Sequence, residues 1–374
     1  MKLIWTVVLT MTGTVGFSQK KYYMLIGTYT GTGSKGIYVR SFDSRSAESG
    51  PVDSVETSNP SFLTVSANQK SVYAVHENAN ESGKGGSVTA FSFNRKTGVL
   101  KATGSQSSEG KHPCYLALDK TNAWLAVGNY SSGNLAILPV RKDGGIDAAV
   151  TTMQHNGSGP DKRQASAHVH STMFSQDNRF LFVNDLGIDK VITYRFNQRS
   201  GQLSFHASTS IAAGSGPRHM ALHPTKSVAY LLNELTGSIN VFSYNIKDVQ
   251  LAEMQTIPSV KAGFTGFAGS ADIHISADGK FLYASNRGEA NDIGIFAINK
   301  TTGLLTLIAH QSVLGKAPRN FSIDPSGKFL LVANQDTNEI VLFLRNKKTG
   351  LLTDTGKRIS VLKPVCIQWI RKKK

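Results

Sequence analysis

The stretch GPRHMALHPTKSVAYLLNE, residues 216–234, carries the pattern that decides the fold. Two short apolar segments lie on either side of the polar turn PTKS at residues 224–227. Arg218 and His219 stand at the start of the first segment, and Asn233 and Glu234 close the second. This pattern predicts two antiparallel strands joined by a turn. Because the start of one strand then lies beside the end of the next, we expect Arg218 and Glu234 to be close in space.

The same unit occurs six times along the chain, at a spacing of about fifty residues. Its copies start at Pro60, Pro113, His168, Pro217, Ser270 and Pro318. In five copies an Asn closes the second apolar segment, 16 residues after the start: Asn129, Asn184, Asn233, Asn286 and Asn334. A third apolar segment, a Gly-containing turn such as KKTG and a fourth segment complete each unit. Four antiparallel strands at this period are typical of a β-propeller blade.

The two ends of the chain supply the pieces of one further blade. YYMLIGTYT and GIYVRSFD lie near the N-terminus, and PVCIQWI lies near the C-terminus. We therefore predict an all-β protein, a seven-bladed β-propeller of four antiparallel strands per blade over residues 19–374, with its ring closed by N- and C-terminal strands. A β-sandwich is the weaker alternative, because it does not require six similar units.

The first 18 residues have the features of a secretory signal peptide. Lys2 precedes an apolar segment, and Gly16 and Ser18 suit a cleavage site before Gln19. The segment is too short to span a membrane, so we expect an exported protein, periplasmic or secreted, without a transmembrane anchor. Export would permit a disulfide between Cys114 and Cys366, although two buried thiols are the favoured interpretation.

The formal net charge of +16 points to anionic partners. The basic residues are scattered, apart from RKKK at the C-terminus, and no nucleic-acid-binding motif is present. The composition therefore favours an anionic small molecule and a generally basic surface over nucleic acid.

The strand ends that meet at one mouth of the central channel hold the candidate site residues. Arg218, Arg287 and Arg319 stand where the repeat itself does not require a cation, so they indicate a bound anion or a developing oxyanion. Glu234 and His170 are the general acid–base candidates. The remaining residues predicted to bind substrate are His168, Asp185 and His219, although Asp185 could pair with an arginine and His219 could equally be a packed imidazole.

A metal site and a cofactor are not expected. His168 and His170 could point to the same face of a strand and supply two metal ligands. No acidic cluster accompanies them in the sequence, and nearby arginines disfavour a bound cation.

Several motifs resemble the seven-bladed propeller lactonase family, which includes bacterial propeller-type 6-phosphogluconolactonases and fungal carboxy-cis,cis-muconate lactonizing enzymes. The similar motifs are AHVHS, GPRHMALHP, LLNEL, ADIHISADGKFLYASNRG and APRNFSIDPSGKFLLVANQ, and the resemblance spans residues 22–370. It implies catalytic roles for His170, Arg218, Glu234 and Arg287, and anion binding by Arg319. It also implies metal-free hydrolysis of a lactone in carbohydrate metabolism, as in the glucose-consuming pentose phosphate pathway.

Three functions remain open at this point. The first is hydrolysis of a sugar-acid δ-lactone, either 6-phosphogluconolactone or a related aldonolactone. The apparent export signal favours a lactone without phosphate, because 6-phosphogluconolactone is a cytosolic intermediate. The second is cycloisomerisation of a muconate-like diacid. The third is a non-catalytic propeller that binds a partner in the envelope or outside the cell, since a fold alone does not establish activity.

Overall fold

The computed structural model describes residues 21–79, 85–245 and 247–373, which form 28 β-strands and one short 3₁₀ helix, Lys162–Gln164. The first eleven strands are β1 (Lys21–Thr28), β2 (Gly36–Asp43), β3 (Ser49–Glu56), β4 (Leu63–Val65), β5 (Ser71–His76), β6 (Ser87–Phe93), β7 (Leu100–Ser107), β8 (Pro113–Leu118), β9 (Trp124–Asn129), β10 (Asn134–Pro139) and β11 (Thr151–Gln154). The next eight are β12 (Val169–Phe174), β13 (Phe180–Asp185), β14 (Lys190–Phe196), β15 (Leu203–Ser210), β16 (Pro217–Leu222), β17 (Val228–Asn233), β18 (Ser238–Tyr244) and β19 (Leu251–Pro258). The last nine are β20 (Ser270–Ile275), β21 (Phe281–Asn286), β22 (Asp292–Ile298), β23 (Leu305–Ser312), β24 (Pro318–Ile323), β25 (Phe329–Asn334), β26 (Glu339–Arg345), β27 (Leu352–Ser360) and β28 (Pro364–Arg371).

These strands form seven antiparallel sheets of four strands each, which are the blades of a propeller. Six blades use consecutive strands, beginning with β4, β8, β12, β16, β20 and β24. The first strand of each blade contacts the first strands of both neighbouring blades, from β4 and β8 around to β28 and β4. The predicted seven-bladed ring is therefore confirmed.

The seventh blade joins the two ends of the chain, as the sequence predicts. Its strand order is β28-β1-β2-β3, so a C-terminal strand lies innermost and three N-terminal strands follow. Strand β28 pairs antiparallel with β1, with Leu25 opposite Gln368 and Tyr23 opposite Ile370. This pairing closes the ring without leaving an open sheet edge between the ends of the chain.

The hydrophobic core lies between neighbouring blades. The second strand of each blade is almost completely buried, since blades cover both of its faces. A typical cluster packs Tyr230 and Leu232 of β17 against Ile273 and Leu282 of the next blade. The Tyr230 hydroxyl also donates a hydrogen bond to the Gly303 carbonyl of that blade at 2.7 Å, which satisfies its polar end.

A β-bulge follows the first paired residue of the innermost strand in several blades. In the fourth blade Pro217 pairs with Asn233 and His219 pairs with Leu232, so Arg218 is the extra residue. Register shifts also follow Pro113, Val169 and Pro318. Bulges re-aim side chains and are frequent beside active sites.

The register corrects the predicted start of the third unit by one residue. Val169 pairs with Asp185 there, so Val169 occupies the position of Pro217, and Asp185 occupies the position of Asn233. His168 therefore precedes the strand instead of starting it, and it corresponds to Gly216. The His168 carbonyl accepts a hydrogen bond from the Leu186 amide, just as the Gly216 carbonyl accepts one from the Glu234 amide.

The predicted signal peptide, residues 1–18, and the domain start at residue 19 lie outside the described residues. Cys114 and Cys366 are both buried free thiols. Among the residues that the structure describes, no helix has the length and apolar character needed to cross a membrane.

Candidate functional site

Two rings of positions surround one mouth of the channel. The bulge ring comprises Arg218 and the residues at the equivalent position of the other blades: Ser61, Cys114, His170, Ala271, Arg319 and Val365. The turn ring comprises the residues directly after each second strand: Tyr29, Glu77, Tyr130, Leu186, Glu234, Arg287 and Gln335. Antiparallel pairing places the two rings side by side, as the sequence predicts for Arg218 and Glu234.

A cavity of about 160 Å³ opens between these rings. Its lining residues are Glu77, Cys114, Tyr130, Arg163, His170, Glu234, Arg287 and Arg319. Seven of these eight belong to the two rings, and Arg163 comes from the connection between β11 and β12. The cavity is smaller than the roughly 300–1,000 Å³ typical of sites for drug-sized ligands, so it suits a small ligand.

Glu234 is the centre of the charge network. Its carboxylate contacts Arg163 Nη2 at 2.6 Å, Arg287 Nη2 at 2.9 Å and Arg218 Nε at 2.8 Å. Burial alone would raise the pKa of Glu234, but the three guanidinium charges outweigh it and hold the pKa well below its ordinary value. Glu234 is therefore ionised at neutral pH and is a weak base.

Arg218 lies directly behind this carboxylate and is almost completely buried. One of its terminal nitrogens also donates a hydrogen bond to the Ala271 carbonyl. Burial, followed by repulsion from Arg287, lowers the pKa of Arg218 to about 10. The side chain therefore still carries its positive charge at neutral pH and fixes the position of Glu234.

His170 supplies the imidazole that lines the cavity. Its Nε2 lies 3.9 Å from Glu234 Oε2, and its Nδ1 lies 3.9 Å from Cys114 Sγ. Burial and then the charge of Arg218 hold the pKa of His170 well below its ordinary value. His170 is consequently neutral at physiological pH and can accept a proton.

The opposite side of the cavity holds a second ion pair. Arg319 Nη2 lies 3.6 Å from Glu77 Oε2, which also accepts a hydrogen bond from the Tyr29 hydroxyl at 2.8 Å. The Arg319 guanidinium lies over the Tyr29 ring, 5.2 Å from its centroid. Although burial would lower the pKa of Arg319, its interactions with Tyr29 and Glu77 raise it overall. Arg319 is thus a fixed cation at the cavity wall.

His219 does not line this cavity but a second one, together with Tyr115 and Asp272. Its Nδ1 lies 2.9 Å from Asp272 Oδ1, and its Nε2 lies 3.3 Å from Arg218 Nη1. Burial and the charge of Arg218 lower the pKa of His219 to about 4, so the ring is neutral. The arrangement fits an Nδ1–H that donates to Asp272 and an Nε2 that accepts from Arg218. His219 therefore orients Arg218 and does not line the cavity.

Asp185 and His168 also lie outside the cavity lining. The buried carboxylate of Asp185 accepts from the backbone amides of His168 and Gly187 and contacts His155 Nδ1 at 2.7 Å. The His168 ring stacks on Tyr130, with 4.4 Å between ring centroids. The one-residue shift in register explains these positions, because it moves Asp185 from the turn ring into the strand.

Two residues of the site, Tyr29 and Arg163, lie outside the six repeated units. In the seventh blade Thr28 pairs with Pro364, as Asn233 pairs with Pro217 in the fourth blade. Tyr29, which follows Thr28, is therefore the equivalent of Glu234. Arg163 lies on a long connection outside the repeat, in the 3₁₀ turn capped by Asp161. The unusual length of residues 155–168 is the signal that marks this connection, since long loops often carry function.

The charges around the cavity favour an anion. Three guanidiniums, those of Arg163, Arg287 and Arg319, line the cavity with the two carboxylates of Glu77 and Glu234. With His170 neutral, the lining carries an excess of one positive charge, and the buried Arg218 guanidinium lies directly behind Glu234. Within the described ranges, no group of three or more His, Cys, Asp or Glu side chains has a geometry that could hold a metal ion.

The sequence profile of the family described as Lactonase, 7-bladed beta-propeller matches residues 23–369. The chain belongs to this lactonase family. It is 34% identical to the 6-phosphogluconolactonase of Bacillus subtilis, with 94% of this chain and 99% of the relative covered. It is 40% identical to the 6-phosphogluconolactonase of Formosa agariphila over 88% of this chain and 94% of the relative.

A solved structure extends this similarity to three dimensions. The periplasmic gluconolactonase of Pseudomonas aeruginosa is 36% identical, with a TM-score of 0.90, covering 94% of this chain and all of that chain (100%). Membership of the lactonase family makes this protein a hydrolase of lactone esters.

Proposed function

We propose that the protein hydrolyses the δ-lactone of a sugar acid in the cavity around His170 and Glu234. One observation carries this proposal: a neutral imidazole shares a small cavity with guanidiniums that are fixed in place by Glu234 and Glu77. Lactone hydrolysis needs a base for water and positive charge for the oxyanion, and this arrangement supplies both. The 6-phosphogluconolactonases and the gluconolactonase among the relatives support the same reaction.

In the proposed reaction, His170 removes a proton from water as the water oxygen attacks the lactone carbonyl carbon. The carbonyl oxygen becomes negative, and guanidiniums from Arg163, Arg287 and Arg319 stabilise it and any anionic substituent. The tetrahedral intermediate then collapses with cleavage of the bond to the ring oxygen. Protonated His170 returns its proton to that oxygen, which leaves as the hydroxyl of the open acid.

Glu234 has a different role from the one its sequence position suggests. Both oxygens of the Glu234 carboxylate are held by guanidiniums, and the ionised group holds no proton to donate. We assign it instead to fixing Arg163, Arg218 and Arg287 and to stabilising His170 when that ring is protonated, across the 3.9 Å that separates Nε2 from Oε2. Arg218, His219 and Asp272 support it from behind.

The proposed substrate is an aldonolactone without phosphate, and the proposed location is outside the cytoplasm. The features of a signal peptide at residues 1–18 motivate both statements. The gluconolactonase of Pseudomonas aeruginosa is described as periplasmic, which is consistent with an exported relative.

A direct assay on two lactones tests the reaction and the substrate class together. The protein is expected to accelerate opening of glucono-δ-lactone above the spontaneous rate, in a pH-indicator assay, and to act less efficiently on 6-phosphogluconolactone. A higher kcat/KM for the phosphorylated lactone would overturn the proposed substrate but not the reaction. No acceleration on either lactone, together with an ultraviolet change on muconates, would establish a cycloisomerase. No activity on any of them would favour a binding propeller.

Replacing Arg163 by Gln is expected to raise the KM for the lactone about tenfold, because a charge-assisted contact at the mouth of the cavity is lost. The Arg163 side chain is 34% exposed, so the free energy of unfolding should change by no more than about 1 kcal/mol. Steady-state kinetics and urea unfolding measure the two effects. Lys162→Gln removes the same charge from the exposed neighbouring residue and should leave KM unchanged. Equal KM values for the two variants would contradict a role in substrate binding.

A further inference from the structure

The positive charge of this protein is concentrated on one face of the propeller. We call it the distal face. It consists of the turns that join the first strand to the second and the third strand to the fourth in the blades, together with residues 372–373, which follow β28. Because the strands are antiparallel, both kinds of turn lie at the end of each blade opposite the cavity. The distal face therefore plays no part in the site around His170.

In six blades the first and second strands are consecutive in the chain and are joined by a turn. Each of these six turns carries one cation. These residues are Lys70, Lys120, Arg179, Lys226, Lys280 and Lys328. In the seventh blade the two chain ends replace this turn, and the exposed residues Lys372 and Lys373 lie there. Every blade thus presents positive charge at this position.

The turns between third and fourth strands repeat the pattern. Each of the seven contains at least one Lys or Arg, and three contain two: Arg95 and Lys96, Arg141 and Lys142, Lys347 and Lys348. The side chains of Lys96, Lys247, Lys300 and Lys348 are all exposed. Exposed lysines are therefore present in at least four of these seven turns, and the cations of the distal face are distributed around the whole ring.

The two faces differ sharply in net charge. The described residues of the distal face include 18 Lys or Arg and 8 Asp or Glu, a net charge of +10. The segments between strands on the cavity face include 8 Lys or Arg and 7 Asp or Glu, a net charge of +1. Most of the formal charge of +16 thus belongs to a face that the lactonase reaction does not use.

We propose that the distal face binds the surface of an anionic phospholipid bilayer. A ring of cations presented by all seven blades matches a flat surface of negative charge, whereas a nucleic-acid duplex would contact a stripe. Two apolar side chains support a bilayer: Val99 is 51% exposed beside Lys96, and Leu351 is 43% exposed near Lys348. Such side chains can enter the headgroup region while neighbouring lysines contact phosphates.

This orientation leaves the cavity mouth pointing away from the bilayer. Substrate can then reach His170 from the aqueous phase while the protein is bound. Membrane binding and lactone hydrolysis should therefore be separable by substitution, and a failure of one proposal does not affect the other.

Co-sedimentation of the full chain with lipid vesicles tests this proposal. The protein is expected to bind vesicles of mixed phosphatidylglycerol and phosphatidylcholine and not to bind vesicles of pure phosphatidylcholine. High salt should dissociate it from the mixed vesicles. The variant K70Q/K96Q/K247Q/K300Q should bind at least about thirtyfold more weakly. The matched control K35Q/K111Q/K261Q/K316Q removes four exposed lysines from the cavity face and should bind as the wild type does.

Both variants should retain lactonase activity, which also shows that they are folded. Equal loss of vesicle binding in the two variants would overturn the proposal, because net charge and not the distal face would then be responsible. Failure of the wild type to bind phosphatidylglycerol vesicles would overturn it as well. So would binding to duplex DNA or an acidic polysaccharide that persists without binding to vesicles.

Discussion

Replacing His170 by Asn is expected to lower kcat for lactone hydrolysis by about 10²–10⁴-fold, with KM changed by only a few fold. The imidazole lines the cavity and is neutral, and in the proposed reaction it takes a proton from water. Asn keeps much of the shape and hydrogen-bonding capacity of the side chain but cannot accept the proton. Stopped-flow measurement of lactone opening, corrected for the spontaneous rate, gives kcat and KM separately.

His112→Asn is the matched control, because His112 lies outside the cavity lining and Asn tolerates its positive φ of 52°. The pH profile of the wild type provides a second test. Since the pKa of His170 is lowered, kcat/KM should stay level as pH falls from neutral and decline only below about 6.5, the ordinary value for histidine. An acid limb above that value, or full activity in His170→Asn, would exclude His170 as the base.

Replacing Glu234 by Gln is expected to lower the free energy of unfolding by about 3–5 kcal/mol at neutral pH. The substitution removes the carboxylate that Arg218 and Arg287 contact at 2.8 and 2.9 Å. The two buried guanidinium charges then lack their anionic partner. Activity should fall as well, because the guanidiniums lose the group that fixes them. Urea unfolding monitored by tryptophan fluorescence measures the difference in stability.

The pH dependence identifies the source of that difference. The folded-state pKa of Glu234 is lowered, so the stabilisation is present above the unfolded value of about 4.3 and is lost as pH falls below it. Wild type and variant should therefore converge in acid. Glu109→Gln changes an exposed carboxylate on the same face and should alter stability by no more than about 0.5 kcal/mol. A Glu234→Gln variant as stable as this control would contradict the network described above.

The repeated sequence by itself determined the blades and much of the site. Apolar alternation and turn residues are local signals, so six copies of one pattern predict six sheets and the terminal fragments predict the seventh. Antiparallel pairing is equally local, and it places Arg218 beside Glu234 without further information. The same reasoning places His170, Arg287 and Arg319 at the same mouth.

Only the tertiary structure decided which of these side chains share the cavity and what their charges are. One residue of register moves Asp185 and His168 out of the lining, and a bulge turns Arg218 towards Glu234 while His219 faces Asp272. The long connection that brings Arg163 to Glu234 has no counterpart in the repeat. Protonation depends on the sum of burial and nearby charges, and blades distant in sequence supply those charges.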